Sequence, residues 1–135
     1  MTKEEKLDLL DRMAEATLRL DLDDMAQYIA PNVTVHEDPG MPYGGVYNGI
    51  PGFLGMITKI GSTVADMSIE RLRTFDGEGD DIAVQIRFKG TSVETGKPFE
   101  AITCEAYKFA DNKLIELWVW YWDTPGINHA LGRQL

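Results

Sequence analysis

The chain has 135 residues, of which 44% are hydrophobic and 26% are charged, a composition typical of one globular domain spanning residues 1–135. Thirteen Lys and Arg residues against twenty-two Asp and Glu residues give a formal net charge of −9. Such a charge repels phosphate backbones and anionic lipid headgroups, so we expect no nucleic-acid partner and no membrane partner.

The cysteine content and the first residues indicate the compartment. Cys104 is the single cysteine, which excludes an intrachain disulfide and fits a reducing environment. The first residues contain neither an apolar signal segment nor a basic run, and no stretch reaches the roughly 18 apolar residues of a membrane-spanning helix. We therefore expect a cytoplasmic protein.

The first part of the chain has the pattern of two amphipathic helices. Thr2 and Glu5 have the spacing of a capping box, and apolar residues then recur every three or four positions, which predicts a helix of about 17 residues. A shorter helix is predicted from Leu22 to Ile29. Pro31 ends it, because proline cannot continue the hydrogen-bond ladder.

A short strand and a third helix are predicted next. Residues 32–38 form a β-branched run around Val33 and Val35. A loop rich in proline and glycine follows over residues 39–49. Apolar residues at helical spacing then predict a helix over residues 50–60, with Pro51 near its start, where the missing N–H is harmless.

The second half of the chain is predicted to be a meander of antiparallel strands. Residues 67–75 and 82–89 flank a turn rich in glycine and aspartate, and residues 98–110 and 113–123 flank a tight hairpin turn. Helices on one side of an antiparallel sheet make an α+β fold. If the sheet bends strongly, the helices close over its concave face and leave a hollow, which we take to be the binding site.

Three segments carry a further pattern, in this order along the chain. Residues 20–39 are an acidic helix start followed by a strand with an acidic residue before proline, residues 42–49 are a Pro-Tyr-Gly-Gly loop, and residues 105–115 are an aromatic-basic-aromatic stretch before a turn. Together they resemble the ketosteroid isomerase and SnoaL-like branch of the NTF2-like superfamily. The resemblance implies an NTF2-like cone, with N-terminal helices on a strongly curved mixed or antiparallel sheet around an apolar pocket.

The resemblance also implies site residues. The family's base, a carboxylate before proline, falls on Asp38, and its second acid, a protonated carboxyl in the oxyanion hole, falls on Glu105. The family's tyrosine donor lies in the first helix, where this chain has Met13. The residues that could replace this donor and contact the substrate are Tyr28, Tyr43, Tyr47, Tyr107 and Tyr121.

Strand alternation predicts which side chains share a face. His36 lies two residues before Asp38, so we expect it on the same face, assisting as an acid or base; a half-buried, hydrogen-bonded histidine is the alternative. For Asp38 the alternative is a turn in which its carboxylate accepts from the following backbone. Thr103 and Tyr107 share the face of Glu105, which we expect to line the hollow.

Two sets of side chains alternate along the last strand. The resemblance places one set inward, against the ligand: Val119, Tyr121 and Asp123. For Asp123, the alternative is that it only terminates the strand. The other set would leave an exposed aromatic stripe, which predicts a homodimer packed through the outer face: Trp118, Trp120 and Trp122. The alternative is that the faces are swapped and the tryptophans line the pocket.

These observations predict a cofactor-free enzyme that transfers protons. The chain has no dinucleotide or phosphate-binding glycine motif and no CxxC pair, so we expect no cofactor and no metal. Asp38 would abstract a proton next to a carbonyl of an apolar substrate with help from His36, while a neutral Glu105 stabilises the enolate, giving isomerisation or cyclisation. Two alternatives stay open: an epoxide hydrolase of the limonene-epoxide type that uses Arg71 or Arg73, and a non-catalytic dimeric ligand-binding module.

Overall fold

A computed structural model describes residues 1–133 of the chain. Its elements, in chain order, are α1 (Lys3–Arg19), α2 (Leu22–Tyr28), β1 (Ile29–Glu37), β2 (Gly45–Asn48), α3 (Gly49–Thr63), β3 (Val64–Asp76), β4 (Asp81–Ser92), β5 (Pro98–Ala110), β6 (Lys113–Tyr121) and α4 (Thr124–Ala130). Over these residues, the hydropathy and length of every helix fall short of what a membrane span requires.

Six strands form one curved, unclosed sheet in the order β2-β1-β6-β5-β4-β3. Strands β3 to β6 are the predicted antiparallel meander, whereas β1 pairs in parallel with β6 and in antiparallel with β2. The predicted α+β class and mixed sheet are therefore confirmed. The inner face is the one that α1, α2 and α3 cover, and the outer face carries no helix from this group.

The main core lies between these helices and the inner face of the sheet. Met13, at the position of the family's helical tyrosine, is one of its buried members with 5% exposure. Other helix residues in this core are Leu9, Leu10, Ala16, Met25, Phe53 and Met56, and they pack against Val33, Val35, Ile82, Val84, Ile86, Leu117 and Val119 of the strands.

A buried lysine ties α1 to the turn between β3 and β4. The side chain of Lys6 is 2% exposed, and its ammonium donates to Asp76 Oδ1 at 2.6 Å. It also donates to the carbonyl oxygens of Gly77 and Asp81. All three donors are used, so this charge is compensated and fixes the helix over the sheet.

The start of α1 is as predicted, and the segment after α2 is not. Thr2 and Glu5 form the complete capping box. The second helix ends at Tyr28, and β1 begins at Ile29, so Pro31 lies inside a strand and does not precede one. The register with β6 is irregular before Thr34, which accommodates a residue that has no N–H to donate.

Two elements near the site were not predicted. Strand β2 lies within the predicted loop of residues 39–49, and α4 follows a last strand that ends at Tyr121 rather than Asp123. Asp123 adopts a left-handed backbone conformation with φ of 63°, and its carboxylate accepts the N–H of Gly126 as the N-cap of α4. Pro125 lies in the first turn of this helix, where its missing N–H is not needed.

Candidate functional site

Two glutamates flank one valine on the inner face of the sheet. Glu37 of β1 and Glu105 of β5 are both paired with Val119 of β6, so the three side chains form one row across neighbouring strands. At a strand spacing of about 4.8 Å, the backbones of the two glutamates are about 10 Å apart. The charge of Glu105 acts on Glu37, so the two carboxyl groups are close enough to interact.

Glu37 is a buried acid with an unpartnered oxygen. Its residue exposure is 4%, and its Oε1 is buried without a hydrogen-bond partner among the described residues. Burial raises the pKa of Glu37 to about 8, the charges of Glu105 and Asp38 add to the rise, and Tyr121 opposes it. This carboxyl is therefore mainly protonated at neutral pH. A buried polar atom without a partner costs about 1–3 kcal/mol, so Glu37 is poised to bind a polar group of a ligand.

Glu105 is half-buried and hydrogen-bonded to a neighbouring tyrosine. Its Oε2 accepts a hydrogen bond of 2.9 Å from the hydroxyl of Tyr107. Burial raises the pKa of Glu105, while the hydrogen bond from Tyr107 and the charge of Arg71 lower it. The charge of Glu105 adds to the raised pKa of Glu37, so the two carboxyl groups are coupled and do not readily ionise together.

Two tyrosine hydroxyl groups meet beside Glu37. The hydroxyl oxygens of Tyr43 and Tyr121 are 2.7 Å apart, with Tyr43 only 1% exposed and Tyr121 half-buried. Burial raises the pKa of both phenols, so both stay neutral. Since the two hydroxyls share a single hydrogen bond, one phenolic hydrogen is left to donate to another acceptor.

The orientation predicted for β5 and β6 is confirmed. Thr103, Glu105 and Tyr107 lie on the inner face, opposite the inward residues of β4 and β6. Val119 is 6% exposed on the same face. The alternative with swapped faces is wrong, because the outer residues are the exposed ones: Trp118 at 40%, Trp120 at 48% and Trp122 at 77%.

The prediction that His36 faces the hollow is wrong. Its ring stacks on Trp118 on the outer face, with the ring centroids 3.6 Å apart and an interplanar angle of 10°. Its Nε2 lies 3.2 Å from Oε2 of Glu116. Strand β1 ends at Glu37, and alternation places residue 36 outward and residue 37 inward.

Asp38 lies beyond the end of β1, and its carboxylate accepts hydrogen bonds from the backbone. Its Oδ1 accepts from the N–H of Gly40 at 2.9 Å, and its Oδ2 accepts from the N–H of Tyr121 at 3.0 Å. These are the contacts of the turn alternative, and they connect the loop after β1 to the end of β6. The assignment of Asp38 as the base stays a prediction that these contacts do not favour.

The remaining predicted ligand contacts lie outside the row of acids. Asp123 is exposed and caps α4, so its predicted inward orientation is wrong. Tyr47 lies on the inner face of β2 and donates to the carbonyl of Tyr43 at 2.8 Å. Tyr28 packs against the edge of the main core at the end of α2.

Two functional residues were missed or left undecided by sequence reasoning. Glu37 was missed, although the alternation of Val33, Val35 and Glu37 would have found it once the strand end was known. Arg71 was left undecided against Arg73. Arg71 pairs with inward-facing Ile86, whereas Arg73 pairs with Gln85 and its guanidinium lies over the ring of Phe75 on the outer face.

Two cavities in the described part of the chain lie away from the acids. One of about 200 Å³ lies between the ends of α3 and β4, and one of about 300 Å³ lies between β5 and α4. Neither is lined by Glu37 or Glu105. A ligand over Val119 therefore has to displace side chains that pack there, and it enters a face on which Glu105 and Tyr121 retain accessible surface.

The groups of the candidate site are ones that exchange protons. A carboxylate, a carboxylic acid and a phenol lie on one concave, largely apolar surface. Within residues 1–133, His, Cys, Asp and Glu side chains form no group of three that could hold a metal ion.

Comparison with known proteins agrees with the fold. Residues 10–117 match the family model described as a SnoaL-like domain, and no curated protein matches the chain. An NTF2-like protein of unknown function from Burkholderia pseudomallei is 20% identical, covers 98% of this chain and 100% of its own, and has a TM-score of 0.82. A proposed isomerase from Rhodopseudomonas palustris is 19% identical, with coverage of 98% and 100% and a TM-score of 0.73. IdmH from Streptomyces antibioticus, a proposed polyketide cyclase, is 24% identical, with coverage of 95% and 99% and a TM-score of 0.73. At these identities the structures show the NTF2-like fold alone, which confirms the predicted cone.

Proposed function

This chain belongs to the SnoaL-like domain family, and we propose that it is a cofactor-free acid/base enzyme that moves a proton next to a carbonyl group of an apolar substrate. One observation carries the proposal. Glu37, buried with one oxygen that has no hydrogen-bond partner among residues 1–133, lies across Val119 from Glu105, which Tyr107 holds by a hydrogen bond. The similarity to a proposed isomerase and a proposed polyketide cyclase supports the same reaction class.

Glu105 is the base of the proposed reaction. Its carboxylate takes a proton from the carbon next to the substrate carbonyl, and the electrons of that C–H bond form the enolate. Tyr107 holds the carboxylate through its 2.9 Å hydrogen bond and thereby fixes its direction. Return of the proton from Glu105 to a different carbon completes an isomerisation. In a cyclisation, the enolate carbon attacks a second carbonyl carbon, and the alkoxide that forms takes the proton back from Glu105 to give the hydroxyl product.

Glu37 is the electrophilic partner of the proposed reaction. Its carboxylic acid donates a hydrogen bond to the substrate carbonyl oxygen, on which negative charge develops as the proton leaves. The phenolic hydrogen of the Tyr43–Tyr121 pair that is not in their shared bond acts on Glu37, and it is a second donor once the substrate oxygen lies there. Both donors lie in a buried region, where a hydrogen bond to a developing charge is stronger than in water.

The proposal differs from the sequence-based hypothesis in two residues and two roles. Glu37 replaces Asp38, because both oxygens of Asp38 accept from backbone N–H groups. Glu105 becomes the base and Glu37 the neutral acid, because Glu105 has the contacts that favour an ionised carboxyl. His36 takes no part, since it lies on the outer face.

Exchange of α-hydrogens for deuterium tests this function. A panel of cyclic ketones is incubated with the protein in D₂O, and exchange is followed by proton NMR. We expect catalysed exchange that falls about 10²–10⁴-fold in Glu105→Gln, the usual contribution of a general base, and that also falls in Glu37→Gln. The matched control is Glu100→Gln on the outer face of the same strand, which we expect to leave the rate unchanged.

The variant Asp38→Asn separates the two assignments. Loss of exchange in Asp38→Asn with full activity in Glu105→Gln would return the base role to Asp38. Binding of ligand without exchange, unaltered by any of these substitutions, would instead support the ligand-binding module.

One observation favours epoxide hydrolysis as a second candidate. The charge of Arg71 acts on Glu105, which resembles a set of two acids and an arginine around a water. The guanidinium of Arg71, however, binds Asp11 at 2.9 Å rather than bridging Glu37 and Glu105. Ring opening of limonene oxide in ¹⁸O-labelled water, with the label in the diol, would establish this reaction and displace the first proposal.

We also propose that a second copy of the chain covers the outer face of the sheet. His36, Trp118 and Trp120 form a continuous stack of parallel rings that solvent reaches in the single chain. Around it, charges of both signs alternate, as in Arg87 between Glu70 and Glu100. An apolar centre with a rim of mixed charge suits a two-fold interface.

Sedimentation analysis tests this assembly. We expect a species of twice the 15.1 kDa chain mass, which dissociates in Trp120→Glu. The matched control is Leu18→Glu, a substitution of a residue that is 85% exposed on α1, which should leave the dimer intact. A monomeric native chain would contradict the proposal.

A further inference from the structure

The inner face of β3 is open to solvent beside α1. Ile69 of β3 pairs with Phe88 of β4, which is 6% exposed, yet Ile69 itself is 67% exposed. Farther along the same strand, Arg71 is paired with Ile86, which is 8% exposed, whereas Arg71 itself is exposed. The helices therefore cover the inner face as far as β4 and leave its β3 edge as an entrance.

A single cation lies at this entrance. Of the inward-facing strand residues between positions 1 and 133, Arg71 is the only lysine or arginine. Its row continues through Ile86 to Thr103, which is adjacent on β5 to the row of Glu105. From the strand spacing and the rise per residue, the Cα atoms of Arg71 and Glu105 are about 12 Å apart. A small molecule can contact both side chains.

The guanidinium of Arg71 is held by an exposed ion pair, and its charge acts on side chains of the inner face. Among residues 1–133 it forms one ion pair, with Asp11 of α1 at 2.9 Å, and the side chain of Asp11 is 66% exposed. Exposed ion pairs of this kind contribute little and exchange readily. Burial raises the pKa of both Glu105 and Tyr107, and the charge of Arg71 opposes the rise, so the guanidinium is close to the inner face as well as to the rim.

We propose that the substrate carries a carboxylate, which replaces Asp11 on the guanidinium of Arg71 while the rest of the molecule lies over the inner face toward Glu105. This inference rests on the proposed function for the identity of the site and adds the class of substrate, an apolar keto acid. Arginine offers a planar fork that matches a carboxylate in a two-point contact. The net charge of −9 repels anions in general, so a preference for the acid has to come from a local cation.

Matched pairs of ligands test the inference without requiring turnover. The probes are 2-naphthylacetate with 2-naphthylacetamide and 4-phenylbutanoate with 4-phenylbutanamide, and their binding is measured by calorimetry at pH 7. Within each pair the two molecules have nearly the same shape and differ in charge. We expect the native protein to bind each acid at least ten-fold more tightly than its amide.

Substitutions assign the preference to Arg71. In Arg71→Met we expect the acid and the amide to bind within two-fold of each other, and in Arg71→Lys we expect an intermediate preference, because the charge remains without the fork. In Asp11→Asn, which removes the competing carboxylate, we expect tighter binding of the acid alone. The matched control is Arg73→Met, since Arg73 lies two positions along β3 on the outer face and should leave the preference unchanged.

Several results would overturn the inference. Equal affinity of acid and amide, binding of neither member of either pair, or a preference that persists in Arg71→Met and Arg71→Lys would each do so. Thermal unfolding of each variant shows whether it is folded. If Arg71→Met does not fold, the binding preference of Arg71→Lys tests the inference instead. Loss of ketone exchange in Glu105→Gln alongside equal binding of acid and amide would leave the proposed function standing and remove only this inference. A preference for the acid that depends on Arg71, without any ketone exchange, would support the carboxylate site and contradict the proposed function.

Discussion

The two faces of the same three strands carry different chemistry. On the inner face, Glu37 and Glu105 lie across Val119 with neutral phenols beside them. On the outer face, one residue away along each strand, His36 and Trp118 stack in contact with solvent. The comparison teaches that strand alternation separates the candidate site from the candidate interface, so an error of one residue exchanges their functions.

Burial explains why the two faces differ in their chemistry. Glu37 is 4% exposed, and its Oε1 has no hydrogen-bond partner in the described part of the chain. The side chain of Glu116, by contrast, is 39% exposed and contacts His36. Water solvates the outer carboxylate. The inner carboxyl has to keep its proton or find a partner in a ligand.

The largest expected effect is on the pH dependence of stability, and it comes from Glu37 on the inner face. The pKa of Glu37 is about 8 in the folded chain against an ordinary value of 4.5, so its stabilising contribution is full below about pH 4.5 and is lost as the pH rises toward 8. At 1.36 kcal/mol per pKa unit the loss is at most about 5 kcal/mol. Glu37→Gln should remove this part of the pH dependence, so the variant should be the more stable protein at pH 8.5.

Urea unfolding at pH 5 and pH 8.5 measures this difference. The matched control is Glu100→Gln, whose side chain is 52% exposed on the outer face and whose substitution should leave the pH dependence as it is. An identical pH dependence in Glu37→Gln and the native chain would mean that Glu37 is not a buried acid.

The next largest effect is the loss of stability when a side chain of β6 is truncated, which should differ between the two faces. Leu117 lies inward on β6 with 4% exposure, and Leu117→Ala should lower the free energy of unfolding by about 2–5 kcal/mol because it leaves a cavity. Its neighbour Glu116 faces outward, and Glu116→Ala should cost less than about 1 kcal/mol. Chemical denaturation of both variants checks the prediction, and equal losses would contradict the assigned orientation of β6.

A smaller effect distinguishes Asp38 from its neighbour Glu37. Asp38→Ala removes the acceptor for two backbone N–H groups, those of Gly40 and Tyr121, and should cost about 1–3 kcal/mol of stability. Asp38→Asn keeps one acceptor oxygen and should cost less. Thermal unfolding of the two variants at neutral pH is the measurement, and no loss in Asp38→Ala would show that the turn contacts contribute nothing.

Much of the fold could be predicted from the sequence because local signals specified it. The capping box of Thr2 and Glu5, the hairpin before Lys113 and the alternation along β5 and β6 each depend on residues close in the chain. The family resemblance supplied the rest of the architecture. The helix α4 was missed because its only strong signal, Asp123, also fits a strand end.

The site was predicted less well because it depends on contacts between distant residues. The end of β1 is set by Asp38, whose carboxylate is drawn to the N–H of Tyr121, 83 positions away. Without knowledge of that contact, strand alternation alone could not show whether residue 37 faces inward or whether residues 36 and 38 do. Likewise, Arg71 and Arg73 would share one face of a regular strand, and the irregular register between them places them on opposite faces.

Carbon-13 NMR of the side-chain carboxyl carbons measures the central pair most directly. The chain is labelled at the carboxyl carbon of glutamate, Glu37→Gln and Glu105→Gln assign the two signals, and the chemical shifts are followed from pH 3 to pH 10. We expect the Glu37 signal to remain that of a carboxylic acid at pH 7 and to titrate near pH 8, after Glu105 has ionised. Titration of Glu37 near its ordinary value of 4.5, with no influence from Glu105, would contradict the account.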